Sequence, residues 1–179
     1  MAGSPRQTIT YEEWLDFPTP EGVRTELIDG EVSVAPEATA RHQRILVRLL
    51  VIFETYLREY GGGTIFPPVN VRFAADQGFI PDLVFVHEWG DDPVTCHGPP
   101  PLVIEIVSDT RRDLRIKRDR YERYGVPEYW AVLPEAEQIQ VFRSVDGAYR
   151  PATVHEAPGT ISPGALPGLV VSVADVFAS

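Results

Sequence analysis

Two short apolar runs, each interrupted by a single carboxylate, set the tightest limit on how this chain folds. Ile80-Pro81-Asp82-Leu83-Val84-Phe85-Val86 and Leu102-Val103-Ile104-Glu105-Ile106-Val107 carry too many Val, Ile, Leu and Phe for half-exposed strands. They read as central strands of a sheet covered on both faces. With a period of two, Asp82 shares a sheet face with Val84 and Val86, and Glu105 shares one with Val103 and Val107. A carboxylate in such a strand is costly unless it is paired, hydrogen-bonded or bound to metal. If the two strands are neighbours, the acids converge. Two acidic ligands can then hold a hard divalent cation such as Mg²⁺, with waters and phosphate oxygens completing its octahedron.

The remaining segments supply the layers around that sheet. A length of 179 residues favours one domain, 1–179, with residues 1–7 expected to be disordered. Thr10 with Glu13 suits a capping box that opens a short helix ending near Pro18. Arg24 to Ala35 reads as a hairpin turning at Asp29-Gly30. From His42 to Tyr60 the apolar positions recur at helical spacing until Gly61-Gly62-Gly63 stops the helix. A strand is expected at Thr64 to Phe73, a helix at about Asp113 to Tyr124, and a strand pair at Glu128 to Leu133 and Gln138 to Arg143. The tail ends in an apolar patch, Val170 to Phe177, expected to pack on the body. This order predicts a mixed α/β fold with a central sheet.

Lys117 breaks its pattern as the two acids break theirs. Leu114, Lys117, Tyr121 and Tyr124 fall on one helical face, the apolar one, so Lys117 aims inward while Arg115, Arg118 and Arg120 reach solvent. An inward lysine near two inward carboxylates is either a structural salt bridge or a group that orients water and stabilises charge on a phosphoryl oxygen. The loop Ser108 to Asp113 offers N-cap residues, and Arg111 and Arg112 can contact phosphates. His42 can face the core, where a hydrogen-bonded structural role is the commoner one. Alternation puts Glu26 opposite Leu27, on the surface or reaching the site as an outer acid. Cys96 has no partner arrangement resembling a thiol catalyst and cannot form an internal disulfide.

Charge narrows the partners less than it first suggests. The formal net charge is −10, which argues weakly against a polyanion. Between Arg111 and Arg123, however, seven basic residues face three acidic ones, a local excess of four. No apolar run approaches the roughly 20 residues of a membrane span, and the N-terminus lacks a secretory apolar core. A soluble, cytoplasmic protein without a membrane partner is the expectation.

Thr25-Glu26-Leu27-Ile28-Asp29-Gly30-Glu31, His42, Pro81-Asp82-Leu83-Val84-Phe85-Val86 and Leu102 to Ser108 together resemble the Uma2 family of restriction-endonuclease-like proteins. Asp113-Leu114, Lys117, Tyr121 and Gly125-Val126-Pro127-Glu128-Tyr129-Trp130 extend the resemblance over about Thr8 to Phe177. It implies the PD-(D/E)XK nuclease fold, a mixed central β-sheet flanked by helices, here with an N-terminal β-hairpin. It further implies an endonuclease dependent on Mg²⁺ or Mn²⁺ and acting on nucleic acid, DNA first. Asp82, Glu105 and the Ile106 carbonyl would bind the metal, and Lys117 would complete the catalytic set. The simplest pattern places a lysine at position 107, which is Val107 here; Lys117, on the following helix, takes that role. Glu26 and His42 rank second for the site, and Arg111, Arg112 and Arg115 would steer the backbone. The apolar tail and the habit of the family make a homodimer the expected assembly. The alternative is a non-catalytic nuclease-fold module that binds a protein or nucleic-acid partner; a direct salt bridge closing off the three polar residues would favour it.

Overall fold

Thr10 opens the first helix as its spacing predicts. Its hydroxyl accepts from the Glu13 N–H at 3.2 Å, and the Glu13 carboxylate accepts from the Thr10 N–H at 2.8 Å, starting α1 (Tyr11–Leu15). The structure is a computed structural model that describes residues 8–35 and 37–178, so the expected disorder of residues 1–7 lies outside the described residues. The hairpin follows as β1 (Thr25–Ile28) and β2 (Glu31–Val34), turning where Asp29 and Gly30 both adopt positive φ. Thr39 caps α2 (Ala40–Tyr60), and Gly61 ends it.

The strand expected over 64–73 is two strands. Pro67-Pro68 separates β3 (Thr64–Phe66) from β4 (Asn70–Ala74), and the two enter different sheets. Next come β5 (Gln77–Phe79), β6 (Leu83–Val86), β7 (Thr95–His97) and β8 (Leu102–Ile106). The helix expected at 113–124 begins as a π-helical stretch, Arg112–Lys117, before continuing as α3 (Arg118–Arg123). After it lie β9 (Glu128–Leu133), β10 (Gln138–Val145), β11 (Ala148–Tyr149) and β12 (Thr153–His155). The tail forms β13 (Thr160–Ile161), β14 (Val171–Ser172) and α4 (Val173–Phe177).

The larger sheet has the order β11-β10-β9-β8-β6-β3, with β12 also on β10. Its acid-bearing runs are neighbours in its interior: β6 pairs antiparallel with β8, and β8 pairs parallel with β9. A parallel pair needs a crossover, and the π-helical stretch with α3 provides it. A second sheet, β2-β1-β5-β4-β7, extends the hairpin beyond the single central sheet expected. Gly78 in β5 is required there, because a Cβ would stand 2.5 Å from the Tyr11 ring.

Each face of the larger sheet has its own cover. Leu49 and Phe53 of α2, with Val173 and Val176 of the tail, pack on Ile104 and Trp130. The tail therefore seals its own core as expected, except for Val170, which is exposed. On the other face Phe79, Tyr121 and Val126 pack on Val103, Tyr129 and Phe142. Among the described residues, no helix is long and apolar enough to cross a membrane.

Candidate active site

The register Leu83↔Ile104 and Val84↔Val103 continues one step to place Asp82 opposite Glu105. Opposed residues of an antiparallel pair point to the same face, so the two acids meet as the strand pattern requires. Asp82 is 5% exposed and Glu105 4%. The Asp82 Oδ2 accepts from the Ile106 N–H at 2.8 Å and lies 3.1 Å from the His42 Nε2. Burial works against the Asp82 charge, but the His42 hydrogen bond and charge, the Ile106 N–H and Lys117 outweigh it and hold the carboxyl below its ordinary value.

Lys117 reaches the acids from the π-helical stretch. Its Nζ donates to the Glu105 Oε1 at 2.8 Å and pairs with the Glu26 Oε1 at 2.7 Å. The Tyr121 hydroxyl donates to the same Glu105 oxygen at 2.5 Å. Burial, with the Asp82, Glu26 and Asp113 carboxylates, pushes the Glu105 carboxyl up to about 8 against the pull of Lys117. Burial also opposes the Lys117 charge, yet Glu105, Glu26 and Asp113 hold it above its ordinary value. Tyr121 is raised well above the usual range by burial and by Glu105.

Glu26 is a correction to its surface reading. Both Glu26 and Leu27 are buried, because β1 is covered on both sides: Leu27 packs with Tyr11 and Trp14, and Glu26 faces Lys117. The Glu26 Oε1 also accepts from the Ile80 N–H at 3.2 Å, whereas its buried Oε2 has no hydrogen-bond partner among the described residues. Arg120 pairs with Asp29 and pins the hairpin turn to α3.

Asp113 and Arg24 complete the surroundings, and neither was assigned a place there from sequence. Asp113 is 1% exposed; its Oδ2 accepts from the Ser108 and Asp109 N–H groups, both at 3.1 Å, and its Oδ1 from the Arg112 Nε at 3.0 Å. Asp113 and Lys117, four residues apart in the π-helical stretch, are both buried. Of the three expected backbone contacts, Arg112 lines the site, Arg111 is exposed and lines the neighbouring cavity, and Arg115 is exposed and does not line the site.

Arg24, Glu26, His42, Asp82, Glu105 and Lys117 line a cavity of about 20 Å³, room for a water or an ion. Among the described residues, none donates a hydrogen bond to the Asp82 Oδ1 or the Glu105 Oε2. Among the described residues, no three His, Cys, Asp or Glu side chains are grouped so as to hold a metal ion. Two carboxylates with free oxygens, plus a carbonyl and water, remain a donor set suited to Mg²⁺ or Mn²⁺. The direct Lys117–Glu105 bridge occupies only one of the Glu105 oxygens.

A family model described as "Uma2: Putative restriction endonuclease" matches residues 10–174. The chain belongs to the Uma2 family. No curated protein matches it. The Uma2 chain superimposes with a TM-score of 0.81 on a crystal structure from Anabaena variabilis ATCC 29413, described as "a putative nuclease belonging to DUF820". The two are 19% identical over 95% of this chain and 98% of that one, a likeness that shows the mixed α/β fold alone.

Proposed function

We propose that the chain is a single-domain endonuclease that hydrolyses phosphodiester bonds in nucleic acid, DNA first, with Mg²⁺ or Mn²⁺. The observation that carries this reading is the opposition of Asp82 and Glu105 on adjacent strands, with Lys117 bonded to Glu105 in one cleft. The family and fold support it.

Asp82, Glu105 and the Ile106 carbonyl would hold the cation. When bound, it lowers the pKa of a water and offsets charge on the scissile phosphate. Lys117 stays protonated between two carboxylates and presents a cation to the charge that develops on the phosphoryl oxygens. Tyr121 holds the Glu105 carboxylate from the core side, and His42 fixes Asp82. Arg111, Arg112 and Arg115 hold the strand by its backbone. A homodimer belongs to this proposal, using exposed Val47 and Val51 one turn apart on α2, and sedimentation would read it.

The Lys117–Glu105 bridge and the small cavity favour a second reading, a nuclease-fold module that binds without cutting. Plasmid nicking with Mn²⁺ separates the two. The nuclease reading predicts activity that Asp82→Ala and Glu105→Ala abolish; unchanged nicking in both variants would end it.

A further inference from the structure

The acidic cleft is contiguous with two larger spaces. Arg24, Ala35 and Ala38 line both the cleft and a cavity of about 610 Å³ that reaches Gln43. Arg112 lines both the cleft and a cavity of about 320 Å³ that takes in Arg111 and Ile116. Val34, 65% exposed, borders both of these cavities. The shared residues make the three spaces contiguous: Arg24 lies where the cleft meets the larger cavity, and Arg112 where it meets the other.

The three cations lining the cleft differ in their partners. Lys117 pairs with Glu105 and Glu26, and Arg112 pairs with Asp113. Arg24 pairs with no carboxylate among the described residues; the one hydrogen bond of its side chain there runs from Nη2 to the Ile80 carbonyl at 2.9 Å. Glu37 lines the larger cavity too, but it is exposed and makes no ion pair with Arg24. A half-buried guanidinium anchored by one nitrogen, with its other donors unpaired, is suited to a phosphate, whose oxygens match its planar fork.

We infer that Arg24 holds a backbone phosphate of a nucleic-acid strand lying along these contiguous spaces, at the same cleft that Arg112 lines. The inference rests on the nuclease reading and adds the path of the substrate to it. A purely structural role differs in its consequences. The Ile80 N–H bonds to Glu26 while its carbonyl accepts from Arg24, so Arg24 also ties the hairpin to the chain leading into Asp82. Loss of that tie alone lowers stability and leaves the salt dependence of binding untouched.

The test is fluorescence anisotropy of the full chain with a labelled single-stranded DNA and its duplex, in EDTA, across a salt series. Thermal midpoints are measured on the same samples. Arg24→Ala should weaken binding about tenfold and shrink the slope of log K against log salt by about one. Arg24→Lys keeps the charge and should keep the slope. A wild type that binds while Arg24→Ala shows an unchanged slope would overturn this inference alone, whatever its thermal midpoint. A wild type that binds neither DNA would overturn the nuclease reading with it.

Discussion

Lys117 donates to the Glu105 Oε1 at 2.8 Å and leaves the Oε2 of the same carboxylate without a hydrogen-bond partner among the described residues. One oxygen is thus committed to the fold and the other is available to a ligand. The Glu26 Oε1 holds the same ammonium at 2.7 Å, so Lys117 is fixed from two sides rather than swinging.

Lys117→Met leaves two buried carboxylates without their cation. Breaking a buried pair costs about 3–5 kcal/mol, so urea unfolding should show a loss of that size. Mn²⁺ binding should survive, because the Asp82 Oδ1 and Glu105 Oε2 remain. Cleavage at saturating Mn²⁺ should fall at least about 100-fold, the scale of removing one preorganised charge from a transition state.

Metal affinity should climb with pH. Burial raises the Glu105 carboxyl from 4.5 to about 8, so below that pH a proton competes with the metal for the same group. Between pH 6 and 8 the apparent Mn²⁺ affinity should rise by up to about tenfold per unit and level off above 8. Titrations in two buffers of different ionisation heat should reveal a proton released on binding at pH 7.

His42→Ala removes the partner that does most to offset the burial of Asp82. The Asp82 carboxyl should rise, and Mn²⁺ affinity should fall about 10- to 100-fold. His42→Gln, which can still donate to the Asp82 Oδ2, should retain more affinity than His42→Ala. Calorimetric Kd values at one pH provide the comparison.

Asp113→Ala strips the Ser108 and Asp109 N–H groups of their acceptor and leaves Arg112 unpaired. The loss should be about 3 kcal/mol in urea unfolding, the scale of leaving buried donors unsatisfied. Asp113→Asn keeps an acceptor oxygen and should lose less.

The features legible in the sequence were those that contradicted their surroundings. Asp82 and Glu105 stand out because a carboxylate in an apolar run demands a partner, and Lys117 because it falls on the apolar side of its helix. Glu26 was ambiguous for the opposite reason. Alternation separates faces only when one of them is wet, and β1 is buried on both. The second sheet escaped because β5 and β7 are three residues each, too short for any period to register. Asp113 escaped because it closes a loop of N-cap residues, where a carboxylate is ordinarily solvated, whereas here it is buried on the Ser108 and Asp109 N–H groups. Arg24 lies in an irregular segment just before β1, where only the folded cleft reveals its position beside the acids.

Calorimetric titration of Mn²⁺ into wild type and Glu105→Gln tests the central claim without any guess about substrate. The account predicts saturable binding at one site in wild type, lost in the variant, with both proteins folded by thermal melting. Equal binding in the two, or none in a folded wild type at pH 8, would contradict a metal site built on Asp82 and Glu105.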